Sequence, residues 1–266
     1  MQTFTKMRVD VTYSQAVKNS LRRLRVLPPQ NRGAQSVLEN AWQCEPAPEA
    51  TRETRDQFGN RVLQIYHASL ASWSFEMSLL SQRDSQNCAR ETNLSSTGTG
   101  AFLLPTRLCD VDKTIRELVA ELRRIDIINS DATQTSQRVC EWLSANIEYS
   151  IGATTLQTRA SDVLKNRRGV CQDFAHAMIA LCRAARIPSR YVSGFIAGEG
   201  QMHAWVETLC GDEWIAFDPT HGRATRNDCV FVACGRDFRD VSPLRGRFQG
   251  EAKVEIRTWC ETKVVD

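Results

Sequence analysis

Gly169-Val170-Cys171-Gln172-Asp173-Phe174-Ala175-His176 opens a run that continues through Ala177-Met178-Ile179-Ala180-Leu181-Cys182 to Arg186. Phe174, Ala175, Met178, Leu181, Cys182 and Ala185 recur at helical spacing and mark one apolar stripe. The run predicts the strongest helix of the chain, ended by Ile187-Pro188. Upstream, Asp112 is a cap for a helix with Ile115, Leu118, Val119 and Leu122 inward. Ser130 or Asp131 caps another with Val139, Trp142 and Leu143, and Ser161-Asp162-Val163-Leu164 suggests a short third. Downstream the period changes to strand-like runs at 190–197, 203–209, 213–217, 229–234 and 253–259. Helices first and strands second argue for an α+β core, not a doubly wound sheet.

The first eighty residues read differently. Met7, Val9, Val11 and Tyr13 alternate with polar residues, Leu24 and Val26 continue the habit, and Leu38, Trp42 and Cys44 share one parity. Asp56 to Asn60 supplies turn chemistry, with Val62 to Tyr66 as the second arm of a hairpin. Between Ala71 and Leu79 the large residues fall on odd positions. This predicts antiparallel strands with one wet face, a β-sandwich-like domain over 1–90. Residues 81–100 are rich in Ser, Thr, Asn, Gln and Gly. That composition puts a linker at 91–108 and the core at 109–266.

Composition narrows the classes. The 266 residues are 42% hydrophobic and 24% charged, ordinary for a globular protein. A net charge of +3 is too small for a nucleic-acid coat. No apolar run approaches the roughly 18 residues of a membrane span, and the first thirty residues hold no signal-like segment. Ten cysteines, at 44, 88, 109, 140, 171, 182, 210, 229, 234 and 260, include no CxxC pair. A cytoplasmic protein with reduced thiols, most of them buried, is expected, with no metal and no cofactor. The oligomeric state is left open.

One thiol stands apart. Cys171 opens the long helix, where unpaired backbone N–H groups and the dipole favour a thiolate and an oxyanion beside it. His203 and Asp218 lie in two strand-like runs joined by Cys210-Gly211-Asp212. Pairing them directly across a hairpin puts both on one face and matches Trp205 with Ala216. The carboxylate then orients the imidazole. His221, in the loop after Asp218, is the reserve base, while His176 is read as partly buried or exposed and non-catalytic, and His67 as structural.

Three segments carry a resemblance: Gly169 to His176, Ile187 to Gly194, and His203-Ala204-Trp205-Val206-Glu207 with Phe217-Asp218-Pro219-Thr220. In order and spacing they resemble the transglutaminase-like superfamily, and in particular its bacterial branch of candidate cysteine proteases, which has a strand-rich N-terminal domain. The resemblance implies a papain-like core, a nucleophile helix on an antiparallel sheet. By motif position it implies a Cys171, His203, Asp218 triad. One departure is His221, where asparagine is usual. Nothing resembles a calcium loop. The expected chemistry is thioester acyl transfer on a peptide or protein amide, with hydrolysis ahead of transfer to an amine. A non-catalytic module with a retained triad is the alternative of a different class. The Cys171 N–H is one expected oxyanion donor and Tyr149 the second.

Overall fold

The computed structural model describes residues 1–84, 90–91 and 98–265. Where the sequence suggested several short strands, two long ones run antiparallel through the first sheet. They are β1 (Gln2–Leu24) and a later strand at Arg61–Arg83, with β2 (Gln35–Glu45) and β3 (Ala50–Arg55) between them in sequence. The Arg61–Arg83 strand is β4. It pairs with β1 along nearly its whole length, with a register shift between Thr12 and Val17. Met7, Val9 and Val11 of β1 and Trp73, Phe75, Met77 and Leu79 of β4 are buried, as their alternation requires.

The register shift bends the sheet. Tyr13 and Arg22 would be about 30 Å apart on a straight strand. Instead, Arg22 Nη2 donates to Tyr13 Oη at 3.1 Å, and the guanidinium lies 4.6 Å from the Trp73 ring. One continuous sheet thus folds onto itself and gives the sandwich-like layering.

The helices follow. Asp112 caps α1 (Lys113–Arg124), accepting from Ile115 N at 3.1 Å. Asp131 caps α2 (Ala132–Asn146), accepting from Gln134 N at 2.9 Å. Next come α3 (Ala160–Asn166) and α4 (Cys171–Ala184). Helix α4 is buried on nearly every side, packed by α1, α2, α3 and the second sheet. That sheet is antiparallel and is built on β5 (Ser189–Ile196), β6 (His203–Cys210), β7 (Glu213–Asp218) and β8 (Cys229–Gly235), in the order β7-β6-β5-β8.

Two segmental expectations need correction. Residues 244–265, expected within the core, join the first sheet: β9 (Leu244–Gln249) and β10 (Val254–Val265) both pair antiparallel with β1. An edge as long as that of β1 is a template for other chains, and these strands cover it. The expected linker is also partly packed. Residues 85–89 and 92–97 fall outside the described residues, but Phe102 is buried 5.9 Å from Phe58 and 5.3 Å from Trp214, ring to ring. Leu108 is buried as well.

The two sheets meet through side-chain amides. Gln35 donates to Phe231 O at 3.0 Å and accepts from Phe231 N at 2.7 Å. Asn60 makes the same two bonds to Cys234, at 2.7 and 2.8 Å. Each amide imitates a strand along the β8 edge.

Candidate functional site

The position of Cys171 follows from the turn that precedes it. Residues 148–149 run parallel to 168–169, with Tyr149 opposite Gly169. Asp173 reaches back and accepts from Val170 N at 2.8 Å, while Thr154 donates to the same oxygen at 2.6 Å. A Cβ at Gly169 would lie 2.6 Å from Asp173 Cβ, so only glycine lets the carboxylate close this turn. Helix α4 therefore starts at Cys171, which is half-buried at the helix N-terminus.

His203 is the first residue of β6 and sits opposite Gly194 of β5. A Cβ at Gly194 would lie 2.2 Å from Val230 O and 2.3 Å from the Trp205 ring. Glycine is what allows the Trp205 ring to come this close to β5. The β6–β7 register differs from the expected one by two residues: Ala216 faces Glu207, not Trp205, and Val206 faces Phe217. The reason is the turn. It uses Gly211 and Asp212 as a two-residue loop, with Gly211 at φ +63°, the backbone that a II′ hairpin reserves for glycine in its first position. A shift of two keeps parity, so His203 and Asp218 stay on one face as diagonal neighbours.

His203 Nε2 lies 3.0 Å from Asp218 Oδ2, and both side chains are buried. Cys171 is one of the groups near enough to shift the pKa of this ring. With Nε2 on Asp218, the nitrogen left for the thiol is Nδ1. Burial works against the imidazolium, but Asp218, Cys171 and Glu199 together outweigh it and push the pKa up to about 12. Burial opposes the Asp218 carboxylate too, yet His203 and His221 hold it well below the usual carboxylate range. Asp218 Oδ1 meanwhile accepts from Thr220 N at 3.0 Å.

His221 does not stand as a separate base. Its Nδ1 lies 2.7 Å from Asp218 Oδ2, so it shares the carboxylate with His203, and that bond raises its pKa. Sequence reasoning missed Glu199. Its Oε2 is 3.1 Å from His203 Nδ1. Glu199 sits in the Gly198-Glu199-Gly200 loop, tied to β10 by Gly198 N to Thr262 O and Cys260 N to Gly200 O. The only signal was a carboxylate between glycines four residues before a candidate histidine. Tyr149 is half-exposed, its ring 6.5 Å from Phe174. Burial raises its hydroxyl pKa, and the neighbouring Cys171 and Glu199 add to this.

Two other histidines lie elsewhere. His176, read as partly buried or exposed, is fully buried in α4. Its Nε2 accepts from Phe238 N at 3.2 Å, and burial drives its pKa down to about 3. His67 is held by Arg22 and Pro46 O in the first sheet. Glu207, beside the histidine motif, is buried between Arg190 at 2.5 Å and Arg32 at 2.8 Å. Burial alone would raise its pKa, and the two arginines lower it.

Two family models match the chain. Residues 123–219 match the transglutaminase-like superfamily, and residues 7–75 match the bacterial transglutaminase-like N-terminal region. A crystal structure of a candidate cysteine protease from Cytophaga hutchinsonii is similar over 100% of this chain and 92% of that one, at 27% identity and a TM-score of 0.78. An uncharacterized Mycobacterium tuberculosis protein is 27% identical over 90% of this chain and 85% of its own length. An uncharacterized Mycobacterium leprae protein is 32% identical over 48% of this chain, and the match spans only 49% of that protein. Among the described residues no helix is long and apolar enough to cross a membrane.

Proposed function

We propose that this chain, which carries a transglutaminase-like core behind a bacterial transglutaminase-like N-terminal region, is a cysteine amidase or peptidase. The observation that carries the reading is the His203 ring, bonded to Asp218 through Nε2 and near the Cys171 thiol that opens α4. Asp218 fixes the ring so that Nδ1 is the nitrogen that moves protons. The substrate is a peptide or protein amide.

Cys171 thiolate attacks the carbonyl carbon, and the C=O electrons move to oxygen. The Cys171 N–H and the Tyr149 hydroxyl stabilise that oxyanion. His203 gives its proton to the leaving nitrogen, the C–N bond breaks, and a thioester remains. Water then attacks, losing its proton to His203. The C–S bond breaks, releasing the carboxylic acid and restoring the thiolate and imidazolium. Glu199 also lines a groove of about 550 Å³ with Trp259 and Lys263 of β10. Transfer to an amine is the second reading, because the Glu199 carboxylate would pair with an acceptor ammonium group beside His203.

Competing thiols are shielded. Burial pushes Cys109, Cys182, Cys229 and Cys260 up to about 12. Iodoacetamide is therefore expected to label Cys171 far faster than these. The decisive test is trapping of a thioester on Cys171 from a peptide library, read by intact mass, with Cys171→Ala as control. A thioester lost in the folded alanine variant supports the reading. Full amide cleavage in that variant overturns Cys171 as the nucleophile, and a Cys171 no more reactive than the buried thiols overturns the reading in favour of a non-catalytic module.

A further inference from the structure

Asp218 holds two imidazoles by one nitrogen each, Nε2 of His203 at 3.0 Å and Nδ1 of His221 at 2.7 Å. Each ring keeps its other nitrogen for a second partner. For His203 that nitrogen is Nδ1, with Glu199 Oε2 at 3.1 Å. The two ring centroids are 5.6 Å apart. One ligating atom from each of Glu199, His203 and His221 falls within 4.8 Å of the other two. Acyl transfer uses His203 and Asp218 and gives His221 no task, so the convergence of the three groups calls for its own account.

We infer that Glu199, His203 and His221 form a binding site for a zinc-like divalent ion, and that the bound ion withholds His203 from Cys171. Two imidazoles and one carboxylate are a donor set that zinc accepts, with a remaining position open to water. Calcium and magnesium prefer all-oxygen sites, so the imidazoles select against them. A histidine that ligates a metal ordinarily donates its other N–H to a carboxylate, which fixes ring and tautomer. Asp218 supplies that support to both rings at once. Zinc bonds of 2.0–2.2 Å in a tetrahedron place ligand atoms about 3.4 Å apart. The contraction required falls on Glu199 and His221, whose side chains are 35% and 38% exposed and have room to move, while His203, at 2%, stays fixed. The ion takes the place of the proton between Nδ1 and Glu199. Since Nδ1 is the nitrogen left for the thiol, the occupied site leaves Cys171 without its base. That inhibition rests on the proposed function; the binding does not.

The test is calorimetric titration of the metal-free full chain with zinc chloride. One ion per chain is expected. His221→Asn and Glu199→Gln should each weaken binding by at least about tenfold, the lower bound seen on loss of even an outer-shell partner. In parallel, the rate of iodoacetamide labelling at Cys171, read by peptide mass, should fall on adding zinc to the wild type and not to His221→Asn. Circular dichroism checks that both variants fold. Absence of a stoichiometric ion, or unchanged affinity in both variants, overturns the site. A bound ion that leaves Cys171 labelling untouched overturns the control. Stoichiometric zinc binding by a chain that turns over no amide when metal-free overturns the enzyme reading and leaves the site standing.

Discussion

Asp218 ties His203 of β6 to His221 of the loop that follows β7, and its charge is what the arrangement depends on. Replacing it by asparagine keeps the shape but removes the reason for His203 to hold a proton and present Nδ1. Asp218→Asn is expected to lower turnover by roughly 10⁴-fold, the scale seen when a triad aspartate becomes asparagine. The same variant has a signature in stability. The Asp218 pKa is lowered in the fold, so its contribution is present above the unfolded value and is lost as pH falls through the folded one. The His203 pKa is raised to about 12, so its contribution is complete below the unfolded value near 6.5 and fades as pH rises toward 12. Wild-type melting temperature should therefore decline at both ends of a pH series, and Asp218→Asn should flatten both declines. Identical pH profiles for the two proteins would refute the ion pair. At this scale the sequence was uneven. Cys171 showed through its helix-start position and His203 and Asp218 through strand parity, both local signals. Glu199 and the sharing of Asp218 by His221 depend on how loops 197–202 and 219–222 fold back, which no periodicity encodes.

Elements position those residues through close approaches that only glycine permits. Gly194 is the sharpest case, because the Trp205 ring and Val230 O fill the space of its missing side chain. Gly194→Ala must push Trp205 away from β5 or part β5 from β8. Overpacking of this kind costs about 1–3 kcal/mol. The unfolding free energy from urea titration should fall by that amount, lowering the midpoint, and Cys171 labelling should slow because His203 stands opposite residue 194 in the pairing. An unchanged midpoint would mean that the sheet tolerates the methyl group. Helices α1, α2 and α4 were legible because capping and apolar spacing are written within a few residues of one another. Long strands were harder. β1 and β4 looked like separate pieces because the irregularity between Thr12 and Val17 interrupts the alternation that identifies a strand. β9 was missed because nearly all its residues face solvent, which leaves no apolar rhythm to read. The hairpin register slipped by two because parity limits register only to steps of two, and the turn geometry makes the choice.

At the scale of the molecule, the two sheets are bound by chain path as well as by contact. The chain leaves the first sheet at Arg83, builds the core, and returns to cover β1 with β9 and β10. Gln35 meanwhile satisfies both backbone groups of Phe231 on the β8 edge. Gln35→Ala should orphan that N–H and C=O in a buried place, at about 1–3 kcal/mol for each group. Fluorescence and circular dichroism should then lose stability together, because neither layer keeps its covering alone. A fragment of residues 100–266 tests the same dependence more severely. It retains Cys171, His203 and Asp218, so a self-sufficient core would keep a reactive thiol. Yet it deprives β9 and β10 of the strand they pair with, and it strips Gln35 and Asn60 from the β8 edge. Freed strands and an uncovered edge offer unpaired backbone to other chains. Loss of β1 also slackens β10, which is hydrogen-bonded to the loop carrying Glu199. The fragment is therefore expected to self-associate in size-exclusion chromatography and to lose selective labelling of Cys171. A monomeric fragment with Cys171 labelled as fast as in the full chain would show that the core stands alone and that the returning strands serve only the first sheet.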